Sequence, residues 1–406
     1  MERQILHVDV NNAFLSWTAV DMLNSGYPVD IRTIPSIIGG DEERRSGIVL
    51  AKSPIAKKFG IITGEPIYFA RKKCNKLEVF NGNFEVFNKA SNDLYKILLE
   101  YTDKIERFSI DECFLDMTSF LGNRKLIDVA YEINSRVEKE LGFTVNVGVS
   151  SNKLLAKMAS DFEKPNKVHT LYEYEIEDKM WSLPVSELFM IGKKTVPKLY
   201  NLRIRTIGDL AKTDKEFLIK RFGKFGLMMW NYANGIDDQE VINKPEEPKS
   251  IGNSVTLPAD TKDPEEINKI ILALCEQVSF RLRKHNLIAN TVNVQLRTKD
   301  FVDYSHQKTL KYATSSTKEI LKTAKEIFIE MYKKEPIRLV GVRVDKLENK
   351  NEVQISFFTQ KSDEKQEKID NVLDNLKNKY GYNMVTRAGK LEIENIIKGK
   401  EKKMKD

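Results

Sequence analysis

The sequence predicts a multidomain α/β (α+β) protein, on three observations. Helical and strand periods alternate between residues 80 and 149. Short helical stretches broken by glycines occupy Ser186 to Asp238. A compact βαββαβ pattern then follows a charged, proline-bearing linker, Asn243-Lys244-Pro245-Glu246-Glu247-Pro248-Lys249.

Taken in order, Ile5-Leu6-His7-Val8-Asp9-Val10 is an apolar run of the length of a buried strand. From Ala13 to Val79 the breakers Gly39-Gly40, Ser46-Gly47, Ser53-Pro54 and Gly64 argue against long helices. Regularity returns at Phe80. Asn88 to Tyr101 reads as a helix, followed by a hairpin that carries Asp111 and Glu112. Lys125 to Leu141 is amphipathic, with Leu126, Val129, Ile133 and Val137 inward, and Phe143 to Val149 alternates as a strand. The pattern implies one sheet, to which Asp9 returns from the far N-terminus. Beyond the linker, Asp263 is expected to cap a helix beginning at Pro264, with Ile267, Ile271, Leu274 and Val278 on one stripe. Val292, Val294 and Leu296 alternate with Asn293, Gln295 and Arg297; a second helix runs from Ser316 to Tyr332, and Ile337 to Val344 closes the unit. Two helices covering one face would leave the other open, with Arg297 and further basic side chains on it. After Lys346 the chain reads as polar and less regular.

A length of 406 residues leaves room for roughly two to four domains. Hydrophobic residues make up 41% and charged residues 31%, with a net charge of +7. Residues 249 to 346 hold 18 basic and 12 acidic side chains, so most of the excess lies in that segment. Such a segment suits a polyanion, and equally a solvated lysine-rich face. Cys74, Cys113 and Cys275 are far apart and form no Cys-x-x-Cys pair. This argues against a zinc knuckle or a disulfide framework and fits a reducing compartment. With no signal pattern at the N-terminus and no stretch of membrane-spanning length, the expected location is cytoplasmic, away from any membrane.

The residues that carry chemistry are Asp9 and the adjacent pair Asp111 and Glu112, all flanked by apolar stretches. A buried carboxylate without its partner costs roughly 3–5 kcal/mol, so a cation belongs beside them. Hard oxygen ligands in a cluster suit Mg²⁺, and two such ions are a recurring device for in-line phosphoryl transfer. One such acid, taken alone, would equally well end a strand at a solvated edge.

His7-Val8-Asp9-Val10-Asn11-Asn12-Ala13-Phe14, Ser109-Ile110-Asp111-Glu112, and Gly148 to Asp161 with Lys164-Pro165-Asn166 together resemble Y-family DNA polymerases of the DinB/UmuC type. Lys249-Ser250-Ile251-Gly252 and Arg281-Leu282-Arg283 resemble that family's little-finger domain. The match spans roughly residues 5 to 346 in register, where any one motif alone would be weak. The resemblance implies a right-hand polymerase. Its palm would be residues 1–12 and 80–172, split by fingers at 13–79. A helix-hairpin-helix thumb would occupy 173–240, a linker 241–249, a little finger 250–346 and a C-terminal tail 347–406. The implied activity is low-fidelity, template-directed addition of dNTPs to a primer 3′-hydroxyl on damaged DNA. The implied partners are primer-template DNA, a dNTP and a sliding clamp, with the chain acting as a monomer. A catalytically silent DNA-binding or clamp-associated protein, or a palm-type nucleotide cyclase, are the competing classes; the first would lack one of the three acids.

Residue by residue, the resemblance implies Asp9, Asp111 and Glu112 as catalytic carboxylates holding two Mg²⁺ ions, with Val10 adding its backbone carbonyl. Phe14 resembles the steric gate that excludes a ribose 2′-hydroxyl. Lys164 resembles the triphosphate-binding lysine. Ala56-Lys57-Lys58-Phe59-Gly60 resembles a fingers element in which Lys57 replaces an arginine and Pro54 a tyrosine, so Lys57 offers a point charge in place of a fork. Arg44 and Arg45 resemble template contacts, or sit on a solvated loop. Phe189 to Thr195 resembles a helix-hairpin-helix, with Gly192 and Lys193 toward a DNA phosphate and Met190 where a glycine is usual. Arg297, Arg338 and Arg343 are the expected little-finger contacts to the DNA backbone. Gln354, Phe357 and Phe358 resemble a clamp-docking peptide, or belong to an ordinary strand.

Overall fold

The computed structural model describes residues 3–40, 47–243, 247–351 and 361–381. Arg44, Arg45 and the expected clamp peptide of Gln354, Phe357 and Phe358 lie outside the described residues. The chain divides into two compact units, one formed by Met1–Gly40 with Ile48–Pro245, the other by Asp41–Gly47 with Glu246–Asp406.

The first unit starts with β1 (Ile5–Val10), six consecutive buried residues. Next comes α1 (Ala13–Asn24), a twelve-residue helix inside the segment expected to lack long ones. The expectation failed because every breaker of that segment lies beyond Asn24. β2 (Ser36–Gly39), β3 (Val49–Lys52), α2 (Pro54–Lys58), α3 (Ile67–Lys73) and β4 (Glu78–Asn81) follow. Their strands make a small sheet in the order β3-β2-β4. α4 (Phe84–Leu99) begins four residues before the expected Asn88, because the Asn83 side chain accepts the Glu85 amide at 3.1 Å and caps it there. The remaining elements are β5 (Ile105–Arg107), β6 (Glu112–Asp116), α5 (Leu126–Leu141), β7 (Val145–Ser150), α6 (Lys153–Ser160) and β8 (Val168–Thr170).

The main sheet runs β5-β6-β1-β7-β8, so the N-terminal strand lies in the middle. β1 pairs antiparallel with β6 on one side and β7 on the other. Alternation then sorts its side chains between the two faces. Leu6, Val8 and Val10 join the core made with α1, α4 and α5. Ile5 packs with Phe114 and Ala156 on the opposite face. His7 and Asp9 share the parity of Ile5, and that face is covered by α6. The approach is tight: a Cβ on Gly148 of β7 would stand 1.8 Å from the Ala156 carbonyl oxygen. α7 (Ile176–Lys179), α8 (Val196–Asn201), α9 (Ile207–Lys212), α10 (Lys215–Phe222) and α11 (Lys224–Ala233) complete the unit. Leu199, Leu210, Leu218 and Met229 from this group share a core with Leu154, Leu155 and Met158 of α6. Every residue of α6 is therefore buried.

The second unit is the expected βαββαβ: β9 (Ser250–Thr261), α12 (Pro264–Lys284), β10 (Leu287–Thr298), β11 (Asp303–Thr314), α13 (Thr317–Met331) and β12 (Ile337–Asn349). Asp263 caps α12 through the Glu265 amide at 2.9 Å. The strands lie in the order β11-β10-β12-β9, and all pairings are antiparallel. The helices bury Val292, Val294, Leu296, Val340, Val342 and Val344. A further helix, α14 (Lys361–Tyr380), occupies part of the tail that reads as irregular. Its docking is ionic. The Arg283 guanidinium donates to Asp374 at 2.6 Å and 2.9 Å, and Asp370 accepts the Thr317 amide at 3.2 Å. So charged a helix gives little apolar period to read.

Because backbone oxygen and not a flexible side chain opposes a Cβ at Gly148, Gly148→Ala is expected to lower the unfolding free energy by about 3 kcal/mol, measured by urea denaturation.

Candidate active site

Asp9 and Glu112 are directly opposed in the β1–β6 register. The antiparallel pairing thus sets two carboxylates side by side from positions a hundred residues apart. Asp111 is the last residue of the hairpin loop. Its carbonyl accepts the Val10 amide at 3.0 Å, which pins the loop to the end of β1. Its carboxylate accepts the Ser109 hydroxyl at 2.6 Å. Val10 turns its side chain into the core, so only its backbone faces the acids. Asp9, Asp111 and Glu112 are therefore brought together.

Two ammoniums stand among them. Lys157 of α6 places Nζ 3.1 Å from Glu112, 3.6 Å from Asp9 and 3.3 Å from Asp161. Lys164 reaches Asp9 at 2.6 Å and Asp161 at 2.8 Å. Burial works against charge on both lysines, but Asp9 and Asp161 outweigh it and raise both above the usual lysine value. Burial likewise opposes ionisation of Glu112; the His7 and Lys157 contacts overcome it and hold the carboxyl down at about 2. Burial pushes Asp111 upward, against its Ser109 hydrogen bond and with the Asp9 and Glu112 charges adding to the rise. His7 is fully buried, and that burial lowers its pKa and favours the neutral ring. His7 Nδ1 lies 2.8 Å from Ser160 Oγ, which in turn lies 2.8 Å from the Lys157 carbonyl. Nε2 then faces Glu112 at 3.5 Å.

The loop bearing Lys164 is held by buried amides. Asn146 Nδ2 donates to the carbonyls of Ser160 at 3.0 Å and Glu163 at 2.8 Å. Asn11 donates to Asn146 at 3.1 Å and accepts the Asn166 amide at 2.8 Å. Phe14, in the first turn of α1, is half-buried against Phe87, with ring centroids 4.6 Å apart. Lys57 is exposed on α2; its ammonium makes no ion pair with the three acids among the described residues.

Two family models match the chain, both described as the impB/mucB/samB family: one over residues 8–161, its C-terminal domain over 248–357. A DNA polymerase IV of Clostridium acetobutylicum is 50% identical over 97% of this chain and its own full length. The chain belongs to the Y-family DNA polymerases of DinB type. A DNA polymerase IV of Bacillus subtilis is 35% identical over 97% of this chain and 94% of its own. A solved Y-family chimera of Dbh and Dpo4 superposes with a TM-score of 0.73 at 27% identity, covering 84% of this chain and 98% of that one. A Dbh polymerase in an insertion ternary complex gives 0.61 at 26% identity, with the same coverage.

Y-family polymerases are metal-dependent nucleotidyltransferases, and the donors here suit a hard divalent cation: three carboxylates and a backbone segment, with no thiolate. Among the described residues no three acidic, His or Cys side chains form a ready cage. The two ammoniums hold Asp9 and Glu112 instead. Sequence reasoning missed His7, Asn146, Ser160 and Asp161 as parts of this acidic cluster, and Lys157 as its central cation. One signal was present: His7 and Asn146 are polar residues inside apolar strands, in step with Asp9.

The other expected DNA contacts are more constrained than a basic face implies. Arg297 is paired with Asp303 at 2.8 Å, and Arg343 with Asp345 at 3.0 Å. Arg338 sits at a register shift of β12, its guanidinium 4.7 Å from the Phe301 ring centroid. The exposed lysines Lys318, Lys322 and Lys325 lie on α13, where Glu319, Glu326 and Glu330 balance them. Gly192 and Lys193 are exposed in the turn before α8. There Met190 adopts the left-handed φ of 71° that a glycine would favour.

A carboxyl held below its unfolded value stabilises the fold above that value and loses the effect on acidification. For Glu112 the window runs from pH 4.5 down to about 2. In Glu112→Gln, the stability lost across that window is expected to shrink by on the order of a few kcal/mol, as read by denaturation against pH.

Proposed function

We propose that this chain is a template-directed DNA polymerase of the low-fidelity translesion type, adding dNTPs to a primer 3′-hydroxyl. The observation that carries the reading is the convergence of Asp9, Asp111 and Glu112 at the β1 and β6 strand ends. Near full-length similarity to proteins named DNA polymerase IV supports it. Intact acids argue against a silent accessory protein.

In this reading the three carboxylates and the Val10 carbonyl hold two Mg²⁺ ions. Bound there, the ions supply a lowered pKa at the primer hydroxyl and charge stabilisation for the departing pyrophosphate. The chain's own residues do the rest. Lys164, half-exposed and mounted on the asparagine-braced loop, is placed to exchange Asp9 for a triphosphate oxygen. Lys57 adds a second, exposed phosphate contact. Phe14, its ring packed at a tilt against Phe87, is stiff enough to exclude a 2′-hydroxyl. Gly192 and Lys193 would meet a DNA phosphate through backbone amide and ammonium. Arg297, Arg338 and Arg343 would contact the phosphate backbone, the first and third in competition with Asp303 and Asp345.

We assign residues 1–12 and 80–172 to the palm, 13–79 to the fingers, 173–240 to the thumb, 241–249 to the linker and 250–346 to the little finger. The tail, 347–406, carries Gln354, Phe357 and Phe358, assigned to a sliding clamp on sequence alone. The enzyme is taken to act as a cytoplasmic monomer.

Asp111→Ala is expected to reduce primer extension at least about a hundredfold, the scale of losing one electrostatic transition-state contact, while duplex binding by gel shift persists. Normal extension by that variant would overturn the site. Phe14→Ala is expected to relax discrimination against ribonucleotides by at least about tenfold, measured as the ratio of kcat/KM for dNTP and NTP.

A further inference from the structure

α6 carries two buried lysines one turn apart, and they are treated differently. Lys153 is satisfied by a single carboxylate, Glu106, at 2.7 Å and 2.8 Å, outside the acidic cluster. Lys157 is directed into that cluster. Its side chain is 9% exposed, and its ammonium touches Asp9, Glu112 and Asp161 at once. A lysine serving only to hold α6 on the sheet could be paired as Lys153 is.

The position of Lys157 Nζ creates a conflict. An ammonium 3.1 Å from Glu112 and 3.6 Å from Asp9 occupies the space beside the two carboxylates that a small divalent cation, with ligands at roughly 2.1 Å, would have to enter. Two cations cannot share that space. Of the three carboxylates around Lys157, Asp161 is the most exposed, at 45%, and lies one helical turn further along α6. It also takes Lys164 on its other oxygen. Asp161 is therefore the acceptor available to an ammonium leaving the cluster.

We propose that Lys157 is a resident counter-cation of the acidic cluster. It neutralises Asp9 and Glu112 until divalent ions displace it, and its ammonium then withdraws onto Asp161. This rests on the polymerase reading of the three acids. It adds two positioning residues, Lys157 and Asp161, acting with opposite sign on ion affinity. Removing the ammonium leaves the cluster more negative and open; removing Asp161 leaves the ammonium nowhere else to go.

The test is calorimetric binding of Mn²⁺ alone to the full chain, without nucleotide or DNA, alongside melting of the metal-free protein. Lys157→Met keeps most of the apolar stem and loses the charge. Its Mn²⁺ affinity is expected to rise at least about tenfold. Its metal-free melting point should fall, and Mn²⁺ should restore it. Asp161→Asn, at a half-exposed position, is expected to weaken Mn²⁺ binding. Unchanged or weaker binding by Lys157→Met overturns the counter-cation role. Unchanged or tighter binding by Asp161→Asn overturns the withdrawal. If Asp111→Ala abolishes Mn²⁺ binding while Lys157→Met is silent, only this inference falls. If the natural protein binds no Mn²⁺ and extends no primer, the polymerase reading falls with it.

Discussion

The ammonium of Lys157 between Asp9 and Glu112 is the interaction on which the site depends. It joins three elements that sequence separates widely: the first strand, the hairpin strand and a buried helix. Isolated, each partner would be costly to bury; together they neutralise one another. A buried ion group is seldom the most stabilising filling for such a space, since apolar residues of similar volume often do as well. Its retention at the strand ends is understandable where those carboxylates must also be able to accept a different cation.

That arrangement requires α6 to lie unusually close to the sheet. Gly148 allows it, because β7 presents no Cβ where the Ala156 carbonyl passes. The consequences spread from there. With α6 seated, Ser160 can hydrogen-bond His7 Nδ1, which orients the ring and turns Nε2 toward Glu112. The loop leaving α6 is then gathered by Asn146 and Asn11, which fix where Lys164 starts. Packing, ring orientation and charge placement are one structure here, and a disturbance in the first reaches the last.

The second unit shows a similar economy of charge. Its open sheet face carries Arg297 and Arg343, yet each faces a carboxylate of its own, so a polyanion meets paired groups there. Arg283, read from sequence as part of a family motif, instead anchors α14 through Asp374 and Asp370. These are local and tertiary pairings that a count of basic residues cannot anticipate, because a count has no geometry.

Much was legible in the residues themselves. An apolar run placed β1, period-two alternation placed β7 and β10, and the cap and proline at Asp263–Pro264 placed the start of α12. The family motifs singled out the three acids, which the strand register brings together, and Lys164, which reaches Asp9. Local chemistry suffices for these because strand parity and helix capping involve neighbours within a few residues. What only the tertiary structure decided is which charges meet. Lys157 and Lys153 look alike in sequence, one turn apart on one helix, but one reaches Glu106 and the other the acidic cluster. α14 and the pairing of Arg297 with Asp303 and of Arg343 with Asp345 were equally hidden. The physical reason is common to all of them: an ion pair between distant segments depends on how whole elements dock, and hydrophobic patterning specifies burial without naming the partner.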